Sequence, residues 1–385
     1  MHSELSDYLL TEVVYDGANM QVVRAVHRPT DARVVIKRPI TVVSSARVFG
    51  RLLHEHAMLT RLAGVPGVAR VRALEQHGGH VAIVLEDPNF RSLAKVLAER
   101  ERLPIEVALR IGLALARVLE GIHANGVVHK DIKPQNLLVD EACTQVVLLD
   151  FGIASWLSQE ATTASIPETL EGTLAYISPE QTGRTARSLD ARTDLYSFGV
   201  LLFELLAGRR PYIEKDPLAL VHAHLAKSPP ALDSLAPEIP SIVSQLVARC
   251  LEKLPEARYQ TASGLAFDLE RCQQQLLADG HIEAFSLGQR DFSPALQPPE
   301  TLVSRERESR ALTAAFERAA NGAVELLLLG GPSGVGKTAL VRAVYREIAK
   351  AGRGLLLSGK HDQLGRSVPY AALAQAFSGL MRNLA

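Results

Sequence analysis

Three short groups in a fixed order constrain this chain more than anything else in it. They are His129-Lys130-Asp131-Ile132-Lys133-Pro134-Gln135-Asn136, then Asp150-Phe151-Gly152, then Ser178-Pro179-Glu180. The first group follows a stretch, 105–123, in which Ile105, Leu109, Leu113, Ala116 and Leu119 share one helical face. Asp131 therefore falls in the loop after a long amphipathic helix. Asn136 opens a short apolar run, 136–139, and Asp150 heads a turn leaving a second, 146–149. Both offer the hard oxygen ligands suited to Mg²⁺.

The chain around these groups has 385 residues, enough for two or three domains at ~100–200 residues each. Its 42 Lys and Arg balance 42 Asp and Glu. That argues against a general nucleic-acid binder, which needs a basic excess to displace counterions from phosphates. Cys143, Cys250 and Cys272 are odd in number and far apart, so neither a disulfide framework nor a CxxC metal knuckle is expected. A reducing, cytoplasmic compartment is expected instead. The N-terminus lacks a basic region before a long apolar stretch, so no signal peptide is expected. The longest apolar runs fall far short of the ~20 residues a membrane span requires.

Residues 8–87 read as short strands at 22–23, 34–36 and 81–85 around one helix at 47–62. From residue 92 the pattern turns helical, with further helices around 195–206, 217–225, 239–251 and 263–277. The segment 286–301 holds Pro294, Pro298 and Pro299 without periodicity and reads as a linker. A charged helix at 305–320, a buried strand at 325–329 and a helix at 339–350 follow.

Taken together, the ordered groups resemble the eukaryotic-type serine/threonine protein kinase family over roughly residues 8–275. The resemblance extends to Val34-Val35-Ile36-Lys37, Glu55, Gly172-Thr173, Asp194 and Arg258. It implies an α+β, bilobal kinase fold, 8–278, with a small β-rich N-lobe at about 8–87 and a larger helical C-lobe at about 92–278. It also implies ATP and Mg²⁺ as cofactors and a protein hydroxyl as acceptor. On this reading Asp131 orients the substrate hydroxyl or accepts its proton, and Lys133 reaches the γ-phosphate. Lys37, paired with Glu55, holds the α- and β-phosphates, while Asn136 and Asp150 bind the metal. Gly17 and Val22 cover the nucleotide and Glu86 lies at the hinge that borders it. Lys133 with Thr173 implies serine/threonine rather than tyrosine acceptors.

Three departures qualify the match. The nucleotide-covering loop, 14–22, keeps only Gly17 of three expected glycines. Pro88 aligns where the family donates a backbone N–H to adenine, and proline has none; a one-residue shift of the alignment would remove the conflict. Lys130 replaces an arginine whose planar fork would clamp a phosphorylated activation loop, so activity is expected to depend little on phosphorylation of Thr162, Thr163 or Thr169. The first two departures keep a second reading open, a nucleotide-binding pseudokinase scaffold. The complete set of catalytic side chains favours the enzyme.

A second phosphate site stands near the C-terminus. Gly331-Pro332-Ser333-Gly334-Val335-Gly336-Lys337-Thr338 fits GxxxxGK[ST] in full. Its backbone around Gly331, Gly334 and Gly336 would cradle phosphates, Lys337 would reach the β- and γ-phosphates, and Thr338 would bind Mg²⁺. Residues 302–385 resemble the N-terminal part of an AAA-type or signal-transduction P-loop ATPase module. No apolar strand ending in an Asp-Glu pair follows, so a truncated α/β module that binds nucleotide weakly is expected. A kinase followed by such a module is similar to the N-terminal half of large bacterial multidomain signalling kinases, which implies downstream signalling modules as partners.

The remaining candidates are weaker. His54/His56 and His222/His224 are spaced i, i+2 on helices, so solvated histidines are expected rather than a zinc site. Arg184, Arg187 and Arg192 read as a solvated, salt-bridged loop.

Overall fold

The computed structural model describes residues 7–17, 19–40, 46–77, 80–100, 102–156, 174–185, 187, 189–292 and 305–331, with 337, 340, 341, 344 and 345. The chain divides into two compact units, Met1–Pro294 and Ala295–Ala385.

The first unit opens with five antiparallel strands: β1 Tyr8–Asp16, β2 Met20–His27, β3 Ala32–Pro39, β4 Val71–His77 and β5 His80–Glu86. Their order in the sheet is β1-β2-β3-β5-β4. Strand alternation gives the sheet two unlike faces. Val23, Ala25, Val34, Ile36, Ala82 and Val84 pack with Tyr8 on one side as a small separate core. Val35, Ile83 and Leu85 belong instead to the main core, and Val35 shares its strand parity with Lys37. Helix α1, Ala46–Arg61, connects β3 to β4. Leu52, Glu55, Met58, Leu59 and Leu62 are its buried side, at the i, i+3, i+4 spacing of one helical face.

The larger lobe begins with β6 Arg91–Ser92 and α2 Leu93–Ala98, followed by α3 Ile105–Ala124. The two-residue β7, Val127–Val128, pairs with β10, Ser155–Trp156, and β6 pairs with β8, Leu137–Val139, which pairs with β9, Val146–Leu148. These strands frame the loop that carries Asp131. Beyond them lie α4 Ala191–Ala207, α5 Pro217–Ala226, α6 Leu232–Leu235, α7 Ser241–Cys250 and α8 Ala262–Asp279. Helix α4 is buried on nearly every side, from Thr193 and Asp194 through Leu206, so it is the axis on which the lobe is built. Asp190 caps its start by accepting from the Arg192 N–H at 2.9 Å, and Gly208 ends it at φ 69°.

The segment after α8 departs from the expected linker. Residues 287–291 are tied to the larger lobe rather than leaving it. Asp291, only 1% exposed, accepts from the N–H groups of Gln260 (2.7 Å) and Thr261 (2.9 Å) and from the Thr261 hydroxyl (2.9 Å). Asp268 accepts from the Gly288 N–H at 2.7 Å, and Arg249 donates to the Leu287 carbonyl at 2.9 Å. Gly264 is glycine because a Cβ there would lie 2.5–2.7 Å from Asp291. Aperiodic sequence with few apolar residues hides this strap, since its anchors are mostly hydrogen bonds, with only Leu287 packing on the main core. Asp291→Ala removes the acceptor of two half-buried backbone N–H groups and is expected to cost about 1–3 kcal/mol. The measurement is the denaturant midpoint of the protein, and a midpoint equal to wild type would contradict it.

In the second unit, α9 spans Glu306–Ala320. The buried strand expected at 325–329 is not formed: 323–331 carries no strand, and Leu326 and Leu328 are 84% and 88% exposed. An apolar run shows a capacity for burial, but a strand exists only through its ladder, and among the described residues none pairs with it. Lys337, Leu340, Val341, Val344 and Tyr345 are helical, with Leu340 and Val344 buried four residues apart.

Candidate active site

The cleft side of the first sheet carries Lys37, and α1 turns Glu55 toward it. Lys37 Nζ lies 3.0 and 2.8 Å from the two Glu55 carboxylate oxygens and 3.0 Å from Asp150 Oδ1. Residues 18 and 113 positions apart in the chain thereby form one charged cluster. Glu55 is buried, whereas the Asp150 side chain is 44% exposed and faces open space. Burial alone would lower the Lys37 ammonium, but Glu55 and Asp150 reverse this and hold it above the usual lysine range. Burial likewise opposes ionisation of Asp150, and Lys37 outweighs it, so the carboxyl sits below its ordinary value. The cluster fixes one ammonium between two carboxylates, and the more exposed of these, Asp150, has a lone-pair face to spare.

Opposite stands the loop after β7. Lys133 Nζ donates to Asp131 Oδ2 at 2.7 Å. Asn136 Nδ2 donates to the same oxygen and to the Asp131 carbonyl, each at 2.8 Å. Since the amide nitrogen is engaged on Asp131, Asn136 Oδ1 is the atom left for a cation. His129 braces the loop from beneath: its Nδ1 accepts from the Asp131 N–H at 3.2 Å, so its Nε2 carries the proton donated to the Leu149 carbonyl at 2.9 Å. Phe151 packs edge-on against the His129 ring, with centroids 4.6 Å apart.

Both functional segments carry backbone strain. Lys130 and Asp150 adopt φ 70° and φ 61°, a left-handed region costly for side chains other than glycine. Asp194, fully buried at the start of α4, holds the first in place. Its carboxylate accepts from the N–H groups of His129 (2.8 Å) and Lys130 (2.7 Å) and pairs with His123 Nε2 at 2.9 Å. Burial would raise the Asp194 carboxyl, and these donors hold it below its usual value instead. Gln181 adds a bond to the Lys130 carbonyl at 2.8 Å. His129 was named from sequence only as the first residue of its motif, with no role given, and His123 and Gln181 were not singled out for the site. Their only sequence signal is adjacency to the motifs.

Several expectations need correction. His54 is not solvated: its Nε2 lies 2.7 Å from the Ala154 carbonyl, tying α1 to the chain just after Phe151. His224 is fully buried against Tyr196 and Tyr212, and burial takes its pKa down to about 3. A residue's spacing on one helix says nothing of what packs over it, which is why both were misread. Arg187 and Arg192 do form ion pairs, with Glu256 and Asp190, but Arg192 is buried in the first turn of α4 rather than solvated in a loop.

Gly17 sits beneath the Tyr15 side chain. The Tyr15 ring folds over it, and a Cβ would meet that ring at 2.4–2.7 Å. Tyr15 is 58% exposed, so its ring can swing aside and this contact by itself does not demand glycine. Val22 is partly buried in β2 opposite Lys37 in register, and Glu86 ends β5. In the second unit Lys337 Nζ donates to the Gly331 carbonyl at 2.8 Å. Gly334, Gly336 and Thr338 lie outside the described residues, as do Thr162, Thr163, Thr169 and Thr173.

Comparison with known proteins agrees with this geometry. Residues 8–268 match the family model for the protein kinase domain, and 301–385 match that for the AAA ATPase domain. The chain is 31% identical over 268 residues to a probable serine/threonine-protein kinase of Clostridium perfringens, covering 69% of this chain and 38% of that protein. It is 31% identical over 347 residues to serine/threonine-protein kinase PkaA of Streptomyces coelicolor, covering 86% of this chain and 60% of the relative. It is also 29% identical over 364 residues to hybrid signal transduction histidine kinase G of Dictyostelium discoideum, covering 72% of this chain and 10% of that protein. The chain therefore spans from a tenth to about three-fifths of these relatives. With two-thirds of its length matching the family model and with the ion-paired lysine, the Asp131 loop and the Asp150 turn gathered on one cleft, the chain belongs to the protein kinase family.

Proposed function

We propose that the first unit transfers the γ-phosphate of ATP to serine or threonine hydroxyls of a protein substrate. The observation that carries this reading is the Lys37 cluster, with Nζ 2.8–3.0 Å from Glu55 and Asp150, facing an Asp131 held by Lys133 and Asn136. Phosphoryl transfer asks a protein mainly to position its reactants and neutralise charge, and each side chain present suits one part of that task. Lys37 would hold the α- and β-phosphates. Asp150 and Asn136 Oδ1 form an all-oxygen donor set that fits Mg²⁺, which when bound neutralises phosphate charge. Asp131 would orient the acceptor hydroxyl and take its proton, with Lys133 beside it for the γ-phosphate.

The glycine-poor loop and Pro88 support the pseudokinase reading, while the presence of Lys37, Glu55, Asp131, Lys133, Asn136 and Asp150, all hydrogen-bonded, supports the enzyme. Radiolabel transfer from ATP by wild type and by Asp131→Asn decides between them. Asparagine keeps the shape and loses the base, so a fall of about 10²–10⁴ is expected. Equal transfer by the two proteins would remove Asp131 from its role.

Gly331 and Lys337 would hold the phosphates of a second nucleotide, a reading the AAA ATPase match supports. The likeness to a protein named as a hybrid histidine kinase supports a place in phosphoryl signalling, with further signalling modules as partners. No helix among the described residues is long and apolar enough to cross a membrane. The three free cysteines support a reducing, cytoplasmic setting.

A further inference from the structure

We propose that the purine base of the nucleotide is read at this hinge through carbonyl oxygens alone, with no backbone donor to its N1. The inference rests on the kinase reading above and specifies how that cleft selects its nucleotide. Strand register locates the base. Lys37 pairs with Ile83 and Val34 pairs with Glu86, so three residues separate the phosphate-holding lysine from the end of β5. At ~3.3 Å per residue this is about 10 Å, enough to carry a ribose and its first phosphates from base to lysine. The base edge therefore arrives at residues 86–89.

Each backbone N–H of that stretch is accounted for. Glu86 N–H donates to the Arg70 carbonyl at 2.9 Å and Asp87 N–H to the Arg33 carbonyl at 3.3 Å. Pro88 has no N–H. Asn89 N–H donates to Asp87 Oδ1 at 2.8 Å, in a turn that gives Asn89 φ 59°. The one-residue alignment shift that would relieve Pro88 brings Asp87 or Asn89 to its place, and both donors are occupied. Arg24 keeps the stretch in this arrangement. Its guanidinium pairs with Asp87, whose side chain is 4% exposed, and donates to the Phe90 carbonyl at 3.1 Å. Carbonyl oxygens, with two lone pairs each, are what remains for the base. They can accept from the 6-amino group of adenine but can give nothing to its N1.

Displacement of a fluorescent ATP analogue from the full chain tests this, taking as cleft binding the part that Lys37→Met removes. 1-Deaza-ATP, which carries C–H in place of N1, is expected to bind within twofold of ATP. Purine riboside triphosphate, which lacks the 6-amino donor, is expected to bind about two- to tenfold more weakly, as the loss of one neutral hydrogen bond implies. Pro88→Ala restores a donor and should tighten ATP by a similar factor while leaving 1-deaza-ATP unchanged. Wild-type binding of 1-deaza-ATP tenfold weaker than ATP would overturn the proposal by revealing a donor at N1. Equal tightening of both nucleotides in Pro88→Ala would overturn it too, since the proline would then act through chain stiffness. Binding that Lys37→Met leaves untouched would instead remove the cleft reading itself, and the proposal with it.

Discussion

Asp150→Asn is expected to reduce phosphate transfer to background while the protein stays folded, and Lys37→Met to do the same at some cost in stability. Asparagine at 150 keeps the side-chain shape but weakens the cation site, and Lys37 retains its bond to Glu55 at 2.8 Å. Methionine at 37 removes the charge that holds phosphates and leaves Glu55 buried beside Asp150 with no cation between them. The two variants therefore separate by pH. Without Lys37, protonation relieves the buried Glu55, whose carboxyl burial already raises. The stability penalty of Lys37→Met should then shrink as pH falls from 8 toward 5. In wild type Lys37 is raised above its unfolded value, so its contribution is complete below the unfolded pKa and fades as pH rises through the folded one. Transfer assays alongside thermal melts at both pH values check these points. Wild-type rates in either variant would sink the roles assigned.

The second large effect concerns stability alone. Arg258 is fully buried and donates to both Glu180 carboxylate oxygens, at 2.7 and 2.8 Å, in a bidentate pair. It also donates to the carbonyls of Glu252, Lys253 and Arg192, and its guanidinium lies 4.9 Å from the Tyr196 ring centroid. Arg258→Leu leaves Glu180, 2% exposed, without its cation and is expected to cost about 3–5 kcal/mol. Arg258→Lys should rescue little, because an ammonium cannot span two oxygens and three carbonyls from one position. Adding Glu180→Leu to Arg258→Leu should recover part of the loss by removing the stranded charge. Denaturant midpoints of the three variants measure this. A midpoint within about 0.5 kcal/mol of wild type for Arg258→Leu would show that the pair contributes nothing, as exposed pairs often do.

Much of the chemistry was legible from residue type and order. The helix carrying Leu109 and Leu113 declares itself by its apolar stripe, which needs only local chain geometry to be read. Helix α4 was recognisable from its apolar run, though its start at Ala191 depends on the Asp190 cap. The strands β1 and β4 were harder. Tyr8–Asp16 is an edge strand exposed along nearly its whole length, so no alternation marks it. The two-residue strands β6, β7 and β10 are too short to carry any pattern at all.

What sequence alone determined is therefore the inventory: which acids, amides and lysines the chain carries, in what order, and which helices hide an apolar face. Periodicity records burial within one element, and motif spacing records loops of set length. Tertiary structure decided the meetings. Lys37 reaches an aspartate 113 residues away, and His54 bonds a carbonyl 100 residues on. Asp291 turns the start of a supposed linker into an anchored strap. The backbone N–H groups beside Pro88 find partners that leave none for a base. A hydrogen bond depends on where two groups end in space, and that position follows from the packing of the whole lobe rather than from residues near either partner.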